Sequence, residues 1–304
     1  MIPLLTIEGP TASGKTKLAL KLAQALGAQI ISADSRQVYR YLDIGTAKPS
    51  KAELQVVPHH LIDILEPDES YNVGRFCSEA GQISEDLHNA GILAIICGGT
   101  GLYVSGLLRG IFPALEIPGG IRSGLWERLA NEGLSVLYEE LRQRDPGFAA
   151  QVSNKDKQRI LRGLEVYQAT GTPITEHWRR QTHEQRFQTF RLLLDPPREL
   201  LYDRINQRIG AMLEAGWLEE LRGLLKRGFD PACPGLNSLG YKELLPHVTA
   251  GKSLDECAGL ATQHTRNYAK RQCTWYRKHK FDLTLTSSEC NISSVAGIIQ
   301  ARLQ

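Results

Sequence analysis

The chain has 304 residues, with 42% hydrophobic and 23% charged residues and a formal net charge of +3. That balance is ordinary for a folded chain and excludes wholesale disorder. The length suits one large domain with an insertion, or two domains. The longest apolar run, Ile92 to Cys97, is far too short to cross a bilayer. The strand-like Leu4 to Ile7 follows Met1 with no basic stretch ahead of an apolar one, so no signal peptide is visible and a soluble, cytoplasmic protein is expected. The six cysteines (Cys77, Cys97, Cys233, Cys257, Cys273, Cys290) form no C-x-x-C pair. They read as buried reduced thiols rather than as a zinc site or a disulfide framework.

In chain order, Leu4–Ile7 is a predicted strand and Lys15–Leu26 a predicted helix with Leu18, Leu22 and Leu26 on its apolar face. Gln29–Ser32 is a second strand, Val73–Asn89 a helix and Ile92–Cys97 a third strand. This alternation predicts an α/β fold, a parallel sheet flanked by helices. After Gly110 the pattern changes. Pro113–Gly120 is rich in Pro and Gly, and up to His183 only helical stretches follow: Leu125–Asn131, Val136–Arg144 and Lys157–Thr170. A strand returns at Phe190–Leu194, ended by Asp195-Pro196-Pro197. Helices are predicted over Arg198–Ala215 and Leu218–Arg227, then a turn at Pro231–Gly235, more helix and a last strand at Phe281–Thr286. The division expected is a core over 1–112, an all-helical insertion over 113–188, and the core continued over 189–304 with a basic C-terminal helical region.

The strongest local signal is Gly9-Pro10-Thr11-Ala12-Ser13-Gly14-Lys15-Thr16, a G-x-x-x-x-G-K-[ST] loop between a strand and a helix. Its glycines let backbone N–H groups turn inward around phosphate oxygens, and the helix N-terminus adds positive potential. Lys15 supplies a point charge to the terminal phosphates, and the Thr16 hydroxyl is the expected ligand of Mg²⁺. This makes the fold P-loop NTPase-like without naming what carries the phosphates. The strand Ile92–Cys97 runs into Gly98-Gly99-Thr100-Gly101, which lacks the carboxylate a P-loop ATPase places there. An acid follows the second strand instead, at Asp34. Strand C-termini line the ligand crevice of such sheets, so Asp34 and Thr100 are expected at one site, although either could alternatively cap a helix or turn.

These blocks resemble the tRNA dimethylallyltransferase family. The similarity runs through the phosphate loop, Ser32-Ala33-Asp34-Ser35-Arg36-Gln37-Val38-Tyr39, Asp43-Ile44-Gly45-Thr46-Ala47-Lys48-Pro49 and Val57-Pro58-His59-His60-Leu61-Ile62-Asp63. It continues through Gly98-Gly99-Thr100-Gly101-Leu102-Tyr103, the stretch from Asp156 to Val166, Gly240-Tyr241-Lys242-Glu243 and the stretch from Lys270 to Arg277. The resemblance covers nearly the whole chain. It implies that the loop holds the diphosphate of dimethylallyl diphosphate rather than a nucleotide. It further implies that Asp34 is the base near an adenosine N6 amine, that Thr100 bonds near the same centre, and that Arg208 binds the diphosphate. Asp34, Ser35, Arg36, Gln37, Arg122, Gln158, Arg159, Ile160, Leu161 and Arg162 fall at positions where the family contacts tRNA, and Thr100, Tyr241 and Lys242 are further candidate contacts to the tRNA, whose anticodon stem-loop is the expected partner. The chain departs from the family with Asn154-Lys155 where Pro-Asn is common. It also has Gly163 where Ala is usual, a change worth about 1 kcal/mol against a helix interior. It lacks a Cys/His-rich tail, which fits a bacterial-type enzyme.

Between Glu256 and Asp282 there is no acidic residue, while Arg266, Lys270, Arg271, Arg277, Lys278 and Lys280 are interleaved with Tyr268, Trp275 and Tyr276. Such a run taken alone is a solvated basic helix. Beside the phosphate loop it makes Lys270, Arg271 and Arg277 candidates for RNA contact. The expected partners are tRNA and dimethylallyl diphosphate, with no membrane, and the expected state is a monomer. A P-loop small-molecule kinase using ATP and a non-catalytic RNA-binding protein are the alternatives. The roles of the cysteines and of His59-His60 stay open.

Overall fold

The computed structural model describes residues 1–110, 117–180 and 185–303. The described residues fall into two compact units, one built from 1–109 and 185–304, the other from 110–184. Residues 111–116, in the Pro/Gly-rich segment, and 181–184, which include His183, lie outside the described residues.

The larger unit is built on a six-stranded sheet. Its strands are β1 (Ile2–Glu8), β2 (Gln29–Ser32), β3 (His59–His60), β4 (Ala94–Gly98), β5 (Phe187–Leu194) and β6 (Leu283–Leu285), in the order β3-β2-β4-β1-β5-β6. Every pairing is parallel. A central parallel strand is covered on both faces and so reads as a continuous apolar run rather than an alternation. Accordingly Leu4 through Glu8 of β1 are all buried. Before the chain enters the helical unit, the helices of the larger unit are α1 (Lys15–Leu26), α2 (Lys51–Val56), α3 (Val73–Asn89) and α4 (Gly101–Arg109). The helical unit contributes α5 (Gly119–Glu132), α6 (Leu134–Arg144), α7 (Pro146–Ala149), α8 (Lys157–Thr170) and α9 (Ile174–Arg180). The chain then returns with α10 (Arg198–Glu214), α11 (Trp217–Lys226), α12 (Tyr241–Ala250), α13 (Leu254–Tyr276) and α14 (Ile292–Leu303).

One sheet face packs Leu5, Ile7 and Leu192 against Leu18 and Leu22 of α1 and Val295 and Ile299 of α14. The other packs Leu4, Ile31 and Ile96 against Phe76 and Ala80 of α3 and Tyr103 and Val104 of α4. A third cluster joins α10 to α13 with the segment after β2, centred on Trp217, Tyr241, Leu221 and Leu236. Glu8 closes β1 from inside: it is fully buried, accepts from Thr6 at 2.9 Å, and takes a bidentate pair from Arg191 Nη2 at 2.8 and 3.0 Å. This pair locks the end of β1 to β5 immediately before the phosphate loop. Removing one partner of such a buried pair costs about 3–5 kcal/mol.

The expected bounds of α1, β2, α3 and α8 coincide with those observed, while β4 starts two residues later than expected. Five short elements (α2, β3, α4, α7 and α9) and the longer α14 are additions. The short ones carry too few periodic positions to signal themselves. In α14 the buried positions Val295, Ala296 and Ile299 become meaningful only because α1 supplies the opposing surface.

In the helical unit, α8 packs Ile160, Leu161 and Leu164 against Leu125, Leu137 and Phe148. Gly163 has a packing reason. A Cβ there would lie 2.6 Å from Leu141 Cδ1 and 2.9 Å from Phe148 Cδ1, both buried side chains that close over the glycine. Gly→Ala in a helix interior ordinarily stabilises by about 1 kcal/mol. Here Gly163→Ala is expected to destabilise, by about 1–3 kcal/mol, because overpacking outweighs propensity. Thermal or urea denaturation reads this directly, and a raised midpoint contradicts the packing argument.

Candidate active site

Residues 9–16 connect β1 to α1 at the C-terminal edge of the sheet. Gly14 caps α1 in the left-handed region with φ 96° and offers no side-chain cap, so the first amides of α1 remain open to an anion. Lys15 folds back over the loop, its Nζ donating to Pro10 O at 2.6 Å, with Ser13 Oγ 3.5 Å away. Burial pushes the Lys15 ammonium down to about 8, with the like charge of Arg208 adding to the effect and the carboxylate of Asp34 opposing it. Arg204, one turn before Arg208 on α10, donates to Ser13 O at 3.2 Å. A cavity of about 530 Å³ opens over the loop, with Thr11, Lys15, Thr16, Asp34, Arg204 and Arg208 in its wall.

Asp34 follows β2 and is half-buried. Its Oδ1 accepts from the backbone N–H of Arg36 at 2.8 Å and of Gln37 at 3.4 Å, so it does cap the turn. Its other oxygen makes no hydrogen bond among the described residues. Thr100 Oγ1 accepts from Ser35 N at 3.3 Å, tying the end of β4 to the turn after β2. The Tyr268 phenol interacts with the same Thr100 hydroxyl, and burial pushes it up to about 12. Gln37 reaches across to the carbonyls of Thr46 and Ala47, at 3.3 and 3.2 Å. A second cavity of about 290 Å³ adjoins the first and is lined by the cations Arg36, Lys242 and Arg271. Asp34, Arg208, Tyr268, Thr11 and Thr46 belong to both cavities. In the wall of the second, Trp217 and Ser238 are buried, and Trp217 Nε1 and Ser238 Oγ have no hydrogen-bond partner among the described residues.

Helix α13 holds the two loops together. Thr11 N donates to Gln272 Oε1 at 2.8 Å, and Gln272 Nε2 donates to Gly99 O at 2.8 Å. One turn on, the Tyr276 hydroxyl donates to Gly9 O at 3.3 Å. This close approach explains the glycines after β4: a Cβ at Gly99 would lie 2.5 Å from Gln272 Nε2, and one at Gly101 would lie 2.2 Å from Trp275 Nε1. A third loop, between β2 and α2, is cradled by Glu220, whose Oε2 accepts from the N–H groups of Asp43 and Ile44, each at 2.8 Å.

The expected residues Lys15, Thr16, Asp34, Thr100 and Arg208 thus converge on one crevice, with Ser35, Arg36, Lys242 and Arg271 around the second chamber. Three expected tRNA contacts have core roles instead. Ile160 and Leu161 are buried inside the helical unit, and the fully buried Tyr241 donates its hydroxyl to Glu220 Oε1 at 2.6 Å. Their side chains have no exposed surface to offer an RNA. In the helical unit, Gln158 and Arg159 are exposed, while Arg122 and Arg162 both bond the buried Glu165. Lys270 of α13 and Arg277, which caps its C-terminus, line a cavity separate from the one that Arg271 lines. Tyr268, Gln272 and Tyr276 were not singled out for the site from the sequence. Their i, i+4, i+8 spacing marks one helical face, but nothing local says what that face meets.

No group of three or more His, Cys, Asp or Glu that could hold a metal exists among the described residues. Thr16, whose hydroxyl is the expected ligand of Mg²⁺, lines the phosphate cavity. Burial pushes the Cys97 thiol up to about 11, and His59 and His60 are both held below the ordinary histidine value by burial.

A parallel sheet carrying a phosphate loop at its C-terminal edge defines a P-loop protein, here with Asp34 lining both chambers. A family model described as IPP transferase matches residues 37–279, and one described as isopentenyl transferase matches residues 2–64. The tRNA dimethylallyltransferase of Syntrophobacter fumaroxidans is 44% identical over 91% of this chain and 81% of its own length. That of Geobacter sulfurreducens is 42% identical over 90% and 89%. Among solved structures, the full-length tRNA isopentenylpyrophosphate transferase of Bacillus halodurans aligns at 34% identity with a TM-score of 0.72, over 100% of this chain and 97% of its own. A eukaryotic dimethylallyltransferase acting on tRNA aligns at 29% identity with a TM-score of 0.84, over 99% and 80%. The chain belongs to the IPP transferase family, that of the tRNA dimethylallyltransferases.

The buried lysine generates a pH prediction. Free Lys15 titrates near 8, and a bound polyanion raises that value, so binding of a diphosphate above this pH takes up a proton at Lys15. Affinity is expected to fall as pH rises through and beyond 8. Calorimetry in two buffers of different ionisation heat measures the uptake. Identical uptake by Lys15→Ala would assign the proton to another group.

Proposed function

We propose that this chain transfers a dimethylallyl group from dimethylallyl diphosphate to the N6 amine of the adenosine 3′-adjacent to the anticodon of tRNA, releasing diphosphate. The observation that carries this reading is that the Asp34 carboxylate stands in the wall common to two chambers, one over the phosphate loop and one lined by cations. The first chamber takes the prenyl diphosphate and the second takes the base.

An exocyclic adenine amine is a weak nucleophile because its lone pair is delocalised into the ring. The allylic carbon compensates, since its bond to the diphosphate oxygen breaks with positive charge shared over the allyl system. The N6–C1 bond forms, the C1–O bond breaks, its electron pair leaves on diphosphate, and the N6 proton passes to Asp34. Residues 9–16, Lys15 and Arg208 aim positive charge at the leaving diphosphate, the preorganised electrostatic contribution that is usually the largest in catalysis. Mg²⁺, held by the diphosphate oxygens and the Thr16 hydroxyl, would add to that charge. Thr100 fixes the turn that carries Asp34, and its hydroxyl is available to the amine as well. The base must leave its loop to enter the second chamber. There the Ser238 hydroxyl and Tyr268 can meet it, while Arg36, Lys242 and Arg271 meet the flanking phosphates. Arg122, Gln158, Arg159 and Arg162 of the helical unit are proposed as further tRNA contacts. Action as a monomer is part of the same proposal. No helix among the described residues is long and apolar enough to cross a membrane.

A small-molecule kinase is not favoured, because β4 runs into Gly98-Gly99-Thr100-Gly101 without a carboxylate. Asp34→Ala removes the proton acceptor, and Asp34→Asn keeps an acceptor for the Arg36 N–H while losing the charge. Both are expected to bind dimethylallyl diphosphate and to lose prenyl transfer in kcat by a factor on the order of 100 or more. Single-turnover prenylation with both substrates saturating measures this. A near-normal rate for Asp34→Ala would leave Asp34 with its turn-capping role alone.

A further inference from the structure

Transfer needs Asp34 and the phosphate loop at a fixed separation, and the groups that hold them so lie outside both. Asp34 is clamped on either side by Thr100. The Thr100 N–H donates to Ala33 O at 3.3 Å, and the Thr100 Oγ1 accepts from the Ser35 N–H at 3.3 Å. The approach is tight: a Cβ at Gly98 would lie 2.1 Å from Ala33 O. The turn that carries Asp34 is therefore fixed to residues 98–100, the loop after β4.

That loop is tied to the phosphate loop by Gln272 of α13, which is 7% exposed and stands in the wall of the first chamber. Its Oε1 accepts from the Thr11 N–H and its Nε2 donates to the Gly99 carbonyl, each at 2.8 Å. The residues one turn away on the same helix face hold one loop each. Tyr276 donates to Gly9 O at 3.3 Å, and Tyr268 meets the Thr100 hydroxyl. Gln272 joins the two. Such a bridge needs an acceptor for one loop and a donor for the other on one short, rigid group. A primary amide supplies both, whereas a carboxylate offers only acceptors and an ammonium only donors.

A continuous line of bonds thus runs from Thr11 through Gln272, Gly99 and Thr100 to both neighbours of Asp34. Each end of that line serves the transfer: the phosphate loop seats the leaving group, and Asp34 receives the N6 proton. A displacement of about 1 Å between reacting groups can cost about 100-fold in rate, even when it originates away from the chemistry. We propose that Gln272 is a positioning residue for prenyl transfer: it sets the separation of the bound diphosphate from Asp34 and touches no reacting atom. The proposal rests on the reading of Asp34 as the proton acceptor.

The test is a double-mutant cycle between Gln272→Met and Asp34→Ala, read by single-turnover prenylation of tRNA with both substrates saturating. Methionine keeps the length of the side chain and makes neither bond. Gln272→Met is expected to lower the transfer rate by a factor on the order of 10 to 100. Its affinity for inorganic diphosphate, measured by calorimetry, should stay near that of wild type. In the Asp34→Ala background the same substitution should cost less than about threefold, because misplacing an absent base costs nothing further. Gly99→Ala strains the bridge from the other side, since its methyl would lie 2.5 Å from Gln272 Nε2. It should reproduce the pattern, and serves if Gln272→Met fails to fold. Equal losses in both backgrounds, the additive result of independent sites, overturn the positioning role. So does a loss confined to diphosphate affinity, or a near-wild-type rate for Gln272→Met. A near-normal rate for Asp34→Ala alone overturns instead the reading of Asp34 on which the proposal rests.

Discussion

The site depends on one side chain that is not itself part of the proposed chemistry. Gln272 accepts from the Thr11 N–H in the phosphate loop and donates to the Gly99 carbonyl after β4, so one amide fixes the spacing of the two loops. Each of these backbone groups, if left unpaired in a buried position, would cost about 1–3 kcal/mol. The bridge in turn demands glycine at position 99 and draws Trp275 onto Gly101. Because α13 also packs on α10, the helix that carries Arg204 and Arg208, the strap sets where positive charge stands over the phosphate loop.

Around that frame two buried carboxylates are paired, Glu8 with Arg191 at the end of β1 and Glu165 with Arg122 and Arg162 in the helical unit. The cations over the phosphate loop are left without an ion pair: Lys15 is bonded only to oxygens of its own loop, and Arg208 borders both chambers with no hydrogen bond or ion pair among the described residues. The lowered Lys15 value is the electrostatic signature of that choice, since a buried cation without a partner is held back only until a polyanion arrives.

Much of this was legible in the sequence, for physical reasons that vary by element. The helices α1, α3 and α8 have enough periodic positions to declare their bounds, and the phosphate loop is a contiguous motif whose conformation is locally encoded. The parallel sheet followed from the alternation of elements. Contacts between distant segments were not legible. Gln272 lies 261 residues from Thr11, and its role exists only once α13 is folded over the loop. Motif resemblance also does not distinguish the faces of a helix. Ile160, Leu161 and Tyr241 were carried along with their neighbours and turn out to face the core, while Lys270 and Arg271, adjacent in sequence, serve different cavities. Gly163 looked like a helix-weakening departure until Leu141 and Phe148 showed why a methyl group does not fit.

The central claim is that the two chambers bring a prenyl diphosphate and an adenosine together across Asp34. The most direct measurement is mass spectrometry of nuclease fragments of unmodified tRNA after incubation with the protein, Mg²⁺ and either dimethylallyl diphosphate or ATP. The account predicts a gain of one C5H8 unit on the adenosine 3′-adjacent to the anticodon, with dimethylallyl diphosphate only. Unmodified tRNA in that arm, or a phosphoryl group transferred from ATP to any acceptor, would contradict it.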